Sequence, residues 1–353
     1  MSNPFESIAK GIFQNRAALK MANIDSVFDF MFTNPKDENN KSLVRKSEPL
    51  YFADVFGGPG GCSEYVLWKK GWQAKGFGFT PKGENDFKLN EFFGRIPETF
   101  EPHYGVNGVS GNGNIYDQQN FVEFRDFVLC NTNKKGVHFV VADGAFSVKG
   151  QQNIQEILSK RLYLCKFMYA LSILRTGGHF VCNVFDTFTP FSVGLIYLLY
   201  KCFRKIAIHK PNSSRPANSE RYIICKWKRP DTERVEIFLC EMNIRLNSMH
   251  RKNEDDITEL VSMDVLIGDQ PFFNYICNSI ENIGKRQIHF LLKVKAFAEN
   301  QSLKEARKEE LKKQCLAYWK VSKKSLVIPQ RSDSHTMFRQ LMERSPAISN
   351  KKN

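Results

Sequence analysis

A strand that runs into four glycines and a proline within five residues leaves a chain few choices. That pattern stands at Tyr51–Trp68, which reads YFADVFGGPGGCSEYVLW. The apolar run 51–55 has the length of a buried strand, with Asp54 near its end. An apolar-periodic helix follows the glycines. Glycine lets backbone approach a ligand closely, and a helix N-terminus offers free N–H groups, so the stretch suits a small-ligand cradle. A plain tight turn has the same composition, and the loop alone does not choose between the two. Its spacing is neither the GxGxxG of dinucleotide folds nor the GxxxxGK[ST] of P-loops.

The surrounding pattern alternates. Apolar residues at helical spacing predict a helix over 5–32, ended by Asn34-Pro35. A second strand is expected at 71–79, an irregular insertion at 80–120 and a helix at 120–132. Val137–Ala142 is a continuous apolar strand with Asp143 at its end. A helix over 154–175 stops at Gly177-Gly178, and a strand at 179–185 contains Asn183. Then come a helix at 190–204, a strand at 206–209, the polar loop SSRPANSE and a strand at 221–227. Strand and helix in alternation predict an α/β, doubly wound sheet, with ligands outside the carboxyl ends of its strands. Asp54, Asp143 and Asn183 should therefore surround one cleft. The domain is expected over 1–230, with a C-terminal extension over 231–323 packing on it and a basic flexible tail over 324–353. Within the extension a short strand is expected at 235–238 and a charged helix at 302–320.

Composition narrows the setting. Among 353 residues, 42% are hydrophobic and 30 are Phe, enough for a filled core. Nine cysteines without a CxxC pair argue against a disulfide framework and a zinc site, so no metal is expected. No apolar run reaches membrane-spanning length. The formal charge of +14 is concentrated at Lys201, Arg204, Lys205 and Lys210, then Lys226, Lys228 and Arg229. Beside a catalytic region such clusters point to nucleic acid, and binding would weaken as salt rises.

Several segments occur in order: NRAALKMAN at 15–23, FADV and GPGG within 52–61, GFTPKGENDFKL at 78–89, VHFVVADG at 137–144, RTGGHFVC at 175–182 and SRPANSERY at 214–222. Together they resemble the FtsJ-type ribose 2′-O-methyltransferases, and among these the eukaryotic cap-specific messenger RNA branch. The resemblance covers most of residues 5–320. It implies a Rossmann-like fold, S-adenosylmethionine as cofactor, the capped 5′ end of messenger RNA as substrate, the transcription or capping machinery as further partners, and a nuclear location. The family's further basic cap contacts would lie upstream of Met1, either absent or removed with a shortened chain. Its flanking glycine-patch and guanylyltransferase-like modules are not expected here.

Ribose methylation needs an aligned methyl donor, a fixed hydroxyl oxygen and stabilisation of the charge that develops on it. The resemblance implies a Lys-Asp-Lys-Glu tetrad. Lys20, Asp143 and Glu220 match it, whereas Asn183 stands where the second Lys is expected. An amide carries no charge and cannot take a proton. Loss of such a group removes about 10²- to 10⁴-fold of rate, so impaired transfer is expected, and Asn183→Lys is expected to raise it. A fully active enzyme that tolerates Asn183 and a purely cap- or RNA-binding pseudoenzyme are the alternatives. The implied cofactor positions are Asn15, Phe56, Gly57, Gly58, Pro59, Gly60, Gly61, Cys62, Asn114 and Ile115. Asn114 replaces the acidic residue usual there, and Phe56 and Cys62 differ from the small and aromatic residues usual in the loop. Cap contacts are implied at Asn153, Ile154, Gln155 and Asn218. Another amine, such as Lys149, is a candidate to fill the gap at Asn183.

Overall fold

The computed structural model describes residues 11–93, 97–145, 150–252, 256–300 and 302–321, together with Asn3, Phe5, Ile8 and Val148. The expected tail over 324–353 and Lys149 lie outside these residues. A seven-stranded sheet forms the centre: β1 Leu50–Val55, β2 Ala74–Phe79, β3 Phe100–His103, β4 Val137–Ala142, β5 Leu174–Val184, β6 Phe203–His209 and β7 Arg221–Lys228. Their order across the sheet is β3-β2-β1-β4-β5-β7-β6. β7 runs antiparallel to both β5 and β6, and the other pairs are parallel. The order reverses between β1 and β4, so the cleft beyond their carboxyl ends is the topological switch point where ligands of open sheets bind.

Helices cover both faces. α1 Ala17–Val27 and α2 Gly61–Lys70 lie on one side, where Leu19, Ile24, Tyr65 and Leu67 pack against Phe52, Phe139 and Tyr222. On the other side lie α3 Gln118–Asn131, α4 Gln155–Ile173 and α5 Pro190–Cys202. Their Phe124, Phe167, Leu171 and Leu195 pack against Phe79, Val140 and Phe180. Thr189 caps α5 by accepting from the Ser192 amide, and Pro190 occupies its first turn, where the missing N–H has no cost. Beyond the sheet follow α6 Glu233–Lys252, α7 Met263–Gly268, α8 Gln270–Glu299 and α9 Lys308–Tyr318.

Three expectations change. Among the described residues, the helix expected over 5–32 is α-helical only at Ala17–Val27, because Gly11 takes a φ of +60° and the Asn15 side chain accepts from the Ala17 amide to start the helix there. The apolar residues before it, such as Ile8 and Phe13, are still buried. No strand forms at 235–238. Those residues belong to α6, whose Leu239, Met242 and Leu246 fall at helical spacing and are buried. The region read as an irregular insertion contains β3, a four-residue edge strand paired with β2.

Candidate active site

The glycine turn follows β1 directly, and its glycines are required by what crowds them. A Cβ on Gly57 would lie 1.8 Å from Asp54 Oδ1, and one on Gly61 would lie 2.1 Å from Asn15 Oδ1. Gly60, at a φ of +105°, is the N-cap of α2. The Gly58 amide donates to Thr80 Oγ1 at 3.3 Å. A Cβ on Gly113 would meet the Thr80 carbonyl, so Thr80 fixes both the turn and the segment carrying Asn114 and Ile115. Asn114 is exposed, and Ile115 is buried in the core. Among the described residues, Asp54 Oδ1 and Asn15 Nδ2 are buried without a hydrogen-bond partner. An unpaired acceptor and an unpaired donor beside a glycine turn and a helix N-terminus suit a small polar ligand. Of the implied cofactor positions, Asn15 and the turn over 56–62 adjoin one another in one rim, whereas the Ile115 side chain is part of the core.

Asp143 leaves the end of β4 beside this rim. Its Oδ2 accepts from Cys62 Sγ at 3.8 Å, and its Oδ1 accepts from the Tyr222 hydroxyl. Across the sheet, Asn183 of β5 pairs in register with Tyr222 of β7. Glu220 lies two residues before Tyr222. Its carboxylate accepts from Lys20 Nζ at 2.7 Å and from the Ser214 hydroxyl. Lys20 projects from α1, and its ammonium also lies over the Tyr222 ring at 5.8 Å. The sheet edge therefore brings Lys20, Asp143, Asn183 and Glu220 together.

The electrostatics assign different characters to these groups. Burial acts to lower the Lys20 pKa, but Asp143 and Glu220 outweigh it and the value is raised, so Lys20 stays an ammonium. Glu220 is held below its ordinary range despite the burial that opposes ionisation, because Lys20 and Ser214 stabilise its charge. Asp143 is pushed up by burial and by Glu220, with Lys20 and Tyr222 acting against the rise. Burial also drives Asp54 up to about 7 from its ordinary 3.8.

This last shift predicts a pH effect. Between pH 3.8 and about 7 the unfolded chain has released the Asp54 proton while the folded chain keeps it. The Asp54 contribution to stability should then fall as pH rises through that window, by up to about 1.4 kcal/mol per pH unit. Asp54→Asn, which keeps an acceptor for Ser63, should flatten the fall relative to the wild-type chain. Denaturant unfolding at stepped pH is the check, and equal slopes for the two proteins would contradict it.

A match to the family model described as FtsJ-like methyltransferase spans residues 13–228, well over half of the chain. The chain belongs to this family. Its curated relatives include cap-specific mRNA (nucleoside-2′-O-)-methyltransferase 1 of Xenopus laevis, 52% identical over 97% of this chain and 40% of the relative. The enzyme of the same name from Homo sapiens is 52% identical over 97% of this chain and 41% of its own length. That of Drosophila melanogaster is 52% identical over 96% of this chain and 43% of its own length. The chain spans about two-fifths of the length of these relatives.

The implied cap contacts are less uniformly placed. Asn153 and Ile154 are exposed in a short turn before α4, and Gln155 is the first residue of that helix. The Asn218 side chain is engaged, accepting from Lys210 Nζ at 3.0 Å. Lys210 also donates to the Glu220 carbonyl at 2.6 Å, and burial lowers its pKa to about 7.

The basic clusters need correction. β7 runs away from the site, since Arg221 pairs with Val184 while Lys228 pairs with Phe203. At about 3.3 Å per residue, Lys226, Lys228 and Arg229 stand toward the far end of the sheet, along with Lys205. Lys201 and Arg204 are paired with Asp269 and Glu38. Of the cluster, Lys210 alone sits at the site, buried beneath Glu220.

Two contributors escaped the sequence reading. Gly144 packs against the Phe56 carbonyl. Lys166 of α4 donates to Asn183 Oδ1 at 2.7 Å and also to the Gly144 carbonyl. A charged residue inside an otherwise apolar helical run, LYLCKFMYAL, was the available signal.

Proposed function

We propose that this chain transfers a methyl group from S-adenosylmethionine to the ribose 2′-hydroxyl of the first transcribed nucleotide of capped messenger RNA, converting cap 0 to cap 1. The observation that carries this reading is the Lys20–Glu220 pair set beside Asp143 next to the glycine rim at the switch point. The names of its relatives support the substrate. With it come a nuclear location and the transcription or capping machinery as partners.

Asn15, the turn 56–62, Asn114 and Ile115 would hold the cofactor, which when bound supplies an electrophilic methyl group. Lys20, kept charged by Asp143 and Glu220, stabilises negative charge developing on the attacking oxygen. As an ammonium it cannot accept the proton, which passes to solvent as the bond from oxygen to methyl forms and the methyl leaves its donor. Glu220 remains a carboxylate and fixes the position of Lys20, while Tyr222 and Cys62 orient Asp143. Asn153, Ile154, Gln155 and Asn218 form the surface offered to the cap. A neutral amide at Asn183 slows transfer, and the amine bonded to it counters that loss to an extent the rate measures.

The test is methyl incorporation from labelled S-adenosylmethionine into three RNAs of one sequence: uncapped, cap 0, and cap 0 already methylated at the first 2′-oxygen. Incorporation into the cap 0 RNA alone is expected. Cofactor binding with no incorporation into any of them would leave a binding role in place of the enzymatic one.

A further inference from the structure

Lys166 is fully buried, within the part of α4 that is enclosed from Leu162 to Leu171. A lysine rarely takes such a place without a partner that repays its lost hydration. Among the described residues it makes no carboxylate ion pair. Its Nζ instead bridges Asn183 Oδ1, at 2.7 Å, and the Gly144 carbonyl. The position is set by the sheet. β4 ends at Ala142, paired with Cys182, so the next residue of β5, Asn183, has no partner from β4. Lys166 enters at that gap; burial lowers its pKa from the ordinary lysine value, while Cys182, Asp143 and Glu220, within electrostatic reach, act to keep it charged.

We propose that Lys166 supplies the second cation of the methyl-transfer site and acts through Asn183, as a positioning residue for the attacking oxygen. The proposal rests on the ribose transfer assigned to the chain above. An ammonium can only donate, so Asn183 must turn its Oδ1 to Lys166, which leaves Nδ2 to donate on the other side. Among the described residues nothing accepts from that Nδ2. The charge-assisted bond polarises the amide and strengthens Nδ2–H as a donor toward an oxygen that is gaining charge. Lys20 and Lys166 then approach Asp143 and Glu220 from two elements, α1 and α4. A lysine at position 183 would do the same work directly; here the charge comes from α4 and the contact from the amide.

The experiment compares four versions of this chain: wild type, Lys166→Met, Asn183→Lys, and the double variant. Methyl transfer to cap 0 RNA is followed at saturating cofactor, with cofactor binding measured separately. Lys166→Met should lower kcat by about 10²-fold or more with cofactor affinity retained. Asn183→Lys alone should give no gain, because two ammonium groups would crowd one buried gap. This is the opposite of what the sequence alone leads one to expect. The double variant should recover most of the rate lost in Lys166→Met, which a purely structural role for Lys166 would not allow. A wild-type kcat in Lys166→Met, or a faster Asn183→Lys single variant, overturns the proposal while leaving the transfer function standing. If Lys166→Met does not fold, the Asn183→Lys single variant and the double variant still decide. Transfer by none of the four chains removes the function itself, and the proposal with it.

Discussion

Glu220→Gln is expected to slow methyl transfer by about 10²- to 10⁴-fold while cofactor binding persists. The carboxylate holds Lys20 Nζ at 2.7 Å and is one of the two charges that keep Lys20 ionised against burial. An amide of the same shape still accepts the hydrogen bond but withdraws the charge. The Lys20 pKa must then fall, since the burial that lowers it is unchanged and Asp143 alone opposes it among the carboxylates. The loss of rate at high pH should accordingly begin at lower pH in the variant. Single-turnover transfer across a pH series, with cofactor affinity measured in parallel, checks both effects. A variant that keeps the wild-type rate and alkaline limb would show that Lys20 does not depend on Glu220 for its charge.

Much of this site was legible because strand ends are legible. Val137–Ala142 is apolar throughout, so Asp143 had to be the residue leaving the sheet, and the strand–glycine–helix pattern at Tyr51–Trp68 placed the turn beside it. Lys20 and Glu220 were not readable from local pattern. A lysine in an apolar stretch and an acid in a polar loop have ordinary explanations, and only the resemblance joined them. Asn183 was readable as a departure from the family pattern.

What the sequence hid were partners brought in by packing. Lys166 sits on a helix over a hundred residues from Lys20 in the chain, and nothing in its neighbourhood names Asn183 as its acceptor. The basic clusters failed for a related reason. Charge along a strand says nothing about which end of the sheet it occupies, and the antiparallel course of β7 carried Lys226 and Lys228 away from the site. At 235–238 the β-branched run VEIF argued for a strand, yet the apolar period continuing through Leu239, Met242 and Leu246 set the outcome as a helix.

Gly144→Ala should abolish cofactor binding and transfer together, although it adds a single methyl group. A Cβ at this position would lie 1.6 Å from the Phe56 carbonyl oxygen and 2.5 Å from the Phe56 ring. A flexible side chain could swing aside; a backbone carbonyl cannot, and the Phe56 amide is itself bonded to the Phe79 carbonyl. Phe56 already has a φ of 57°, which leaves little freedom to re-route the chain. The methyl must therefore push the end of β4 away from the turn over 56–62. That movement separates Asp143 from Cys62 and shifts the Gly144 carbonyl that anchors Lys166. Overpacking of this kind costs about 1–3 kcal/mol, so a lowered melting temperature should accompany the loss of function. Gly284→Ala provides the contrast. It lies inside α8 with nothing within 4 Å of an added Cβ, so it should leave binding intact and stabilise by about 0.5–1 kcal/mol. Thermal unfolding and equilibrium binding of S-adenosylmethionine to both variants make the comparison. Wild-type cofactor affinity in Gly144→Ala would mean that the contact between Gly144 and Phe56 does not hold the rim in place.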